Sequence, residues 1–269
     1  MENRRNVVIR TLVSASFLVM IAMNVLANAI RFNGFTTGEV SDRYPNLFAP
    51  AGYTFAVWGL IYLLTALHVL YQLGVFRGKG ATGNEKALFW VSVAFTVSNV
   101  ANTVWIFAWH YLNIPLSMAM TLTMLVSLGF IMEFLHRKTL STREKLFIRL
   151  PFSVYFGWIT VATVANASVL LVSLGWNRWG LSESFWMIVI LIVGVLIGAV
   201  RIHRGVDLAY GLVLVWAYAG ILVKHVTPPY SGMYPGVIAA IAISIAALIA
   251  DIGYVGIIET RKLRAARGK

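Results

Sequence analysis

Three tryptophans, Trp58, Trp105 and Trp158, fall inside apolar stretches that also carry Tyr62, Tyr155, Asn102 and Asn166. Residues of these types in a membrane suit the binding of a ligand. An indole has a large apolar face and one N–H donor, which suits a flat amphipathic ligand. Pockets for such ligands are mostly apolar and aromatic, with a few placed polar groups. The stretch "NLFAPAGYTFAVWGLIYLLTA" (46–66) adds Tyr53 and Phe55 ahead of Trp58. Each of these residues taken singly also suits interhelical glue or headgroup anchoring. At about 1.5 Å per residue, Asn28, Asn102 and Asn166 fall in the outer half of the membrane, with Trp58 and Trp105 at similar depth. Tyr62, Tyr155 and Trp158 lie deeper. Trp58 is too far into its helix to be a headgroup anchor only, and the convergence points to a polar-aromatic cavity.

Other chemistries find no residues to carry them. The chain has no cysteine, which excludes disulfides, thiolate metal sites and cysteine nucleophiles. It shows no Gly-rich phosphate loop, no zinc-type histidine pair at helical spacing and no G-x-S-x-G elbow. The cluster "RGKGATGNEK" lacks the lysine-serine/threonine ending of a P-loop and reads as a loop. No catalytic or metal-ligating residue is assigned, and no cofactor is required.

The elements that must position these side chains are membrane helices. Of 269 residues, 59% are hydrophobic and 12% charged, and the mean hydropathy is +0.78. A soluble domain carries about twice that charged fraction. A span needs roughly 20 apolar residues, and eight segments qualify: 9–30, 50–75, 88–110, 115–136, 150–174, 184–201, 206–224 and 235–258. The basic N-terminus and first apolar run read as a retained helix rather than a cleaved signal. Pro115 starts the fourth helix.

Lysine and arginine mark cytoplasmic loops. With both termini inside, all but Arg31, Arg43, Arg178 and Lys224 of the 22 basic residues fall on the inner side. A miscounted helix would destroy that split. The net charge of +12 thus reports topology and contact with anionic lipid; no segment is long enough to fold a basic nucleic-acid domain.

The motifs on helices two, three and five resemble those of the TspO/MBR family, the tryptophan-rich sensory or translocator proteins. Pro50, Tyr53, Phe55, Val57, Trp58 and Tyr62 look like its second-helix motif, with Tyr53 where tryptophan is usual. "VANTVWIFAW" supplies Asn102 and Trp105, and Pro151, Tyr155, Trp158, Ala162 and Asn166 resemble the fifth-helix pattern. The resemblance covers residues 8 to 176. It implies a five-helix bundle with a cavity under the first extramembrane loop, where Glu39, Asp42 and Arg43 stand. It also implies a tetrapyrrole ligand such as protoporphyrin or haem, with porphyrin breakdown known in some members.

The expected fold is therefore an all-α integral membrane protein, a five-helix TspO-like bundle (1–178) with a three-helix membrane extension (179–269). Residues 180–260 find no counterpart in the five-helix pattern. Gly194 and Gly198 there have small-x-x-x-small spacing, the signature of close helix packing. Asp251 lies inside a span, where an ionisable group is a functional candidate; it either serves as a coupling group or reaches water or Arg201. Asn28 is a structural candidate. Glu133, His136, His203 and Asp207 read as a solvated rim, and His68 as hydrogen-bonded structure rather than a haem ligand. Trp176, Trp179 and Trp186 read as interfacial anchors.

The functional expectation is a receptor or sensor of a flat lipophilic molecule, in a bacterial plasma membrane. The alternatives are a permease or a scaffold. Partners are the lipophilic ligand and membrane lipid, not nucleic acid, and a homodimer is admitted. The orientation makes a first prediction. A cysteine replacing Ser231 should react with an impermeant reagent added to intact cells, and one replacing Ala265 should not; labelling at 265 would overturn the topology.

Overall fold

A backbone in hydrocarbon must satisfy its N–H and C=O groups within itself, and helices do so. The computed structural model describes residues 2–77 and 85–267, and eight of its helices are long and apolar enough to cross a membrane. They are α1 (Glu2–Ala29), α2 (Val57–Gln72), α3 (Glu85–His110), α4 (Ile114–His136), α5 (Leu150–Ser173), α6 (Glu183–Gly205), α7 (Leu208–Val226) and α8 (Pro235–Arg267). Most of the "RGKGATGNEK" loop, and Lys269, lie outside the described residues.

The helices outrun their apolar stretches most at two places. α1 begins at Glu2 instead of 9, and α8 continues to Arg267 instead of 258. Hydropathy marks membrane thickness, whereas Ala, Arg and Lys sustain a helix beyond it. α2 is preceded by a 3₁₀ turn, Gly52–Ala56. Asn113 caps α4 by accepting from Leu116 N at 3.2 Å, with Pro115 in the first turn.

Two compact units make up the chain, Met1–Tyr44 with Ala56–Leu170, and Pro45–Phe55 with Leu171–Lys269. In the first, α1 packs on α3, and α3 on α4. The entry to α5 is irregular. A capping box at Ser141 and Glu144 starts it, and Lys145–Arg149 then form a π turn. Pro151 lacks the N–H that would meet the carbonyl four residues back. His68 of α2 supplies that donor, its Nδ1 lying 2.9 Å from Phe147 O.

In the second unit α8 packs on α6 and α7. Gly194 leaves room for Tyr218, whose hydroxyl donates to Leu191 O at 3.1 Å, and Leu214 lies against Gly198. The segment Pro45–Phe55 also belongs to this unit. Ala51 N donates to Gly220 O at 3.1 Å, Trp216 Nε1 to Thr54 O at 3.0 Å, and Leu47 N to Glu183 Oε1 at 3.1 Å.

Thr54 sits over Gly220 so closely that a Cβ there would collide with its side chain. Overpacking of this kind costs about 1–3 kcal/mol. Gly220→Ala should lower the thermal midpoint of the detergent-solubilised protein, and adding Thr54→Ala should recover part of the loss, because it removes the hydroxyl and methyl but leaves the Cβ at position 54.

Candidate functional site

The first unit gathers its aromatics by helical periodicity. Residues three or four apart share a helix face, so α2 presents Trp58 and Tyr62 together, α3 Trp105 and Trp109, and α5 Tyr155 and Trp158. Trp58 is the hub. Its ring centroid lies 5.6 Å from Tyr62, nearly parallel to it, and 6.1 Å from Trp105. Tyr155 at 5.7 Å and Trp158 at 6.4 Å meet it edge-on. Offset and edge-on pairs at these distances are the favoured aromatic geometries. Trp109 stacks on Trp105 at 5.8 Å. Five of the seven expected rings thus converge, each packed on Trp58 or belonging to it. Trp109 escapes the sequence reading, although its spacing from Trp105 is the signal for it.

Around the cluster the buried amides are spent on each other. Asn24 of α1 donates to Asn102 Oδ1 at 2.7 Å, and Asn102 donates to the Tyr155 hydroxyl at 2.9 Å. Tyr155 in turn points at Met124 Sδ, 3.6 Å away. Outward, Asn28 donates to Asn24 O at 3.0 Å and accepts from Thr37 N at 3.0 Å. Trp109 Nε1 then donates to Thr37 O at 3.0 Å. A single relay therefore runs from the aromatic cluster through α3 and α1 to the first loop. Asn166 takes a different place, donating to Ser117 Oγ at 2.6 Å and Thr121 Oγ1 at 3.2 Å on α4.

The Trp105 indole stands outside this pairing. Trp105 is 7% exposed, and its indole N–H has no hydrogen-bond partner among the described residues. Buried donors are almost always paired. A ligand acceptor would pair this one.

The loop beyond is a built structure. Thr36 and Glu39 form a capping box that starts the short helix Thr37–Asp42. Arg31 pairs with Glu39 at 2.8 Å, and Arg43 lies over the Phe35 ring at 4.6 Å. The Thr36 backbone N–H, more than any other group, holds the Glu39 carboxyl below its usual range. A depressed carboxylate stabilises the cap fully above its ordinary range, and the contribution fades as pH falls through the lowered value.

Other candidates lie elsewhere. Tyr53 and Phe55 belong to the second unit, where Tyr53 is half exposed and meets Trp216 edge-on at 5.8 Å. Asp251 pairs with His203 at 2.6 Å, not with Arg201, which lies 3.8 Å from Asp207. Asp207 departs from the solvated rim: it is 3% exposed, and its carboxylate accepts from Tyr210 N at the start of α7. Glu133 pairs with Arg137 at 3.2 Å on the exposed end of α4. His68 has both ring nitrogens engaged, Nδ1 with Phe147 O and Nε2 with Gln72 Nε2 at 2.7 Å. Trp176, Trp179 and Trp186 form their own cluster at 5.2–5.6 Å. Among the described residues no group of three His, Asp or Glu is placed to hold a metal ion.

The model of the family described as TSPO-like protein matches residues 10–254. The match runs through α6 and α7 into α8, so these helices fall within the family's own pattern, where the sequence reading finds no counterpart. Comparisons with curated proteins and with solved structures give no significant match.

The relay makes a prediction. Asn102→Leu strands Asn24 and Tyr155, and hydrogen bonds between membrane helices are worth about 0.6 kcal/mol on average and up to about 1.7. The variant should lose about 1–3 kcal/mol, read as a lowered thermal midpoint. Asn28→Leu should lose less, because its partners are backbone groups near the loop. The reverse order would remove Asn102 from the centre of the relay.

Proposed function

Since the chain belongs to the TSPO-like protein family, we propose that it is a membrane receptor binding a flat lipophilic ligand, such as a tetrapyrrole, against the rings of Trp58, Trp105 and Trp158. The observation that carries this reading is the Trp105 indole, a buried donor without an acceptor inside an aromatic cluster. Binding would exchange ring–ring contact for ring–ligand contact. The net gain then comes from burial of the ligand's own apolar surface and from one newly made hydrogen bond. Tyr62 and Tyr155 extend the aromatic surface, while Asn102 holds Tyr155 in place rather than waiting for the ligand. Asn166 supports the bundle from α4. The first loop would serve as the outer cover, with both termini cytoplasmic. A transporter reading would use Asp251 as the coupling group; that carboxylate pairs with His203 within the second unit.

An absorbance titration of purified protein with protoporphyrin tests the reading. Trp58→Ala should weaken binding at least tenfold, or about 1.4 kcal/mol. Replacing Trp105 by 3-benzothienylalanine, in which sulfur takes the place of the indole N–H, keeps the bicyclic ring and removes the donor; the loss should be about fivefold, the worth of one hydrogen bond near 1 kcal/mol. Its thermal stability should not fall, because the donor had no partner to lose. Trp179→Ala, in the other aromatic cluster, should bind normally. Equal losses in all three would mean partition of porphyrin into the micelle, and the site would fall.

A further inference from the structure

At the opposite end of the first unit from its outer loop, a small cleft opens between the first turns of α1, the end of α2 and the start of α3. Its volume is about 10 Å³, lined by Asn6 and Arg10 of α1, Gln72 and Arg77 at the end of α2, and Phe89 and Ser92 of α3. That is about the space of one oxygen atom with its hydrogens, as in a water molecule. The floor is polar and fixed. Gln72 and Ser92 are 1% and 2% exposed, and Ser92 Oγ lies 2.8 Å from Gln72 Oε1 and 2.7 Å from Leu88 O. Gln72 Nε2 reaches His68 Nε2, and His68 Nδ1 reaches Phe147 O. A carbonyl only accepts, so Nδ1 carries the proton and Nε2 accepts one of the two amide N–H bonds of Gln72.

The rim is cationic. Arg77 is oriented by two carbonyls at the end of α2, Nε to Tyr71 O at 3.0 Å and Nη2 to Gln72 O at 3.2 Å. Arg143 reaches over to Arg77 O at 3.3 Å, and Arg5 lies over the Phe89 ring at 4.7 Å. Two guanidinium groups, those of Arg10 and Arg77, therefore line the cleft, Arg143 and Arg5 contact residues of its wall, and no carboxylate is among the described residues lining it. Guanidinium forks match phosphate oxygens in geometry as well as in charge. Basic pockets between membrane helices are suited to anionic headgroups.

We propose that this cleft binds a phosphoryl group, with one oxygen entering above Gln72 and Ser92 and the remaining charge met by Arg10 and Arg77. The site is separate from the aromatic cluster and does not depend on the ligand read there. The same chemistry can come from a phospholipid headgroup or from free phosphate.

Purified full-length protein can be titrated with short-chain phosphatidylglycerol and, separately, with inorganic phosphate, following the thermal midpoint. Arg10→Gln should weaken the response about tenfold, as expected for loss of a charge-assisted hydrogen bond. Arg10→Lys, which keeps the charge without the fork, should fall between. Arg137→Gln, basic and exposed at the end of α4, should match the unaltered protein. Saturation by phosphate alone would identify the free ion as sufficient, and a response to the lipid only would identify the headgroup; either supports the site. Asn6→Leu, which leaves every charge in place, should also weaken binding and guards against a folding defect in the arginine variants. No loss in Arg10→Gln, or an equal loss in Arg137→Gln, would reduce the effect to diffuse surface charge and overturn the proposal.

Discussion

An amide inside a bilayer has no water to fall back on, and the arrangement of the first unit follows from how four of them are paired. Asn24 and Asn102 are buried and bonded to each other, which sets the rotation of α1 against α3. The second N–H of Asn102 goes to Tyr155, which sets α5 against α3. Once those rotations are set, the helix faces bearing Trp105 and Trp158 have to meet. Trp58 closes the space between them. The aromatic cluster is thus a consequence of polar pairing as much as of hydrophobic packing. Removal of one amide affects three helices because an unsatisfied group in hydrocarbon has few alternatives.

The same accounting explains the one irregular helix. Pro151 withholds a backbone donor, a π turn precedes it, and His68 answers the exposed carbonyl. A histidine at the inner part of α2 and a proline near the start of α5, more than eighty positions apart, are halves of a single solution. Gln72 and Ser92 continue it to the cleft, so the cleft floor and the proline share one hydrogen-bonded chain.

Much of this architecture is legible in the sequence, and the limits are physical. Eight apolar runs of spanning length reveal eight helices, because thickness is a property of composition. The faces shared by Trp58 and Tyr62, or by Tyr155 and Trp158, follow from helical spacing. Partners across helices do not, since the rotation of one helix against another is decided by packing. Asn102 reads as a residue facing a cavity, yet its amide is consumed by Asn24 and Tyr155. Asp251 reads as a coupling group or as reaching water or Arg201; in the structure His203 stands beside it and Arg201 lies near Asp207. Tyr53 and Phe55 precede Trp58 by only a few positions, yet the 3₁₀ turn at Gly52–Ala56 and the bonds to α7 place that segment in the second unit. Contiguity in a motif does not carry over to proximity in the fold when the backbone changes its winding midway.

The two tryptophan clusters have a spectroscopic consequence. Indoles whose centroids lie 5–6 Å apart couple their electronic transitions, and the sign and size of that exciton coupling depend on the angle between the rings. Trp105 and Trp109 are nearly parallel, at 20°, whereas Trp176 and Trp179 stand at 83°. Indole exciton bands in the circular dichroism of this chain should therefore carry a contribution from each cluster, each with its own ring geometry. The optical activity of one cluster is in effect a goniometer for its own helices, and separating the two bands would let each unit report its internal rotations independently.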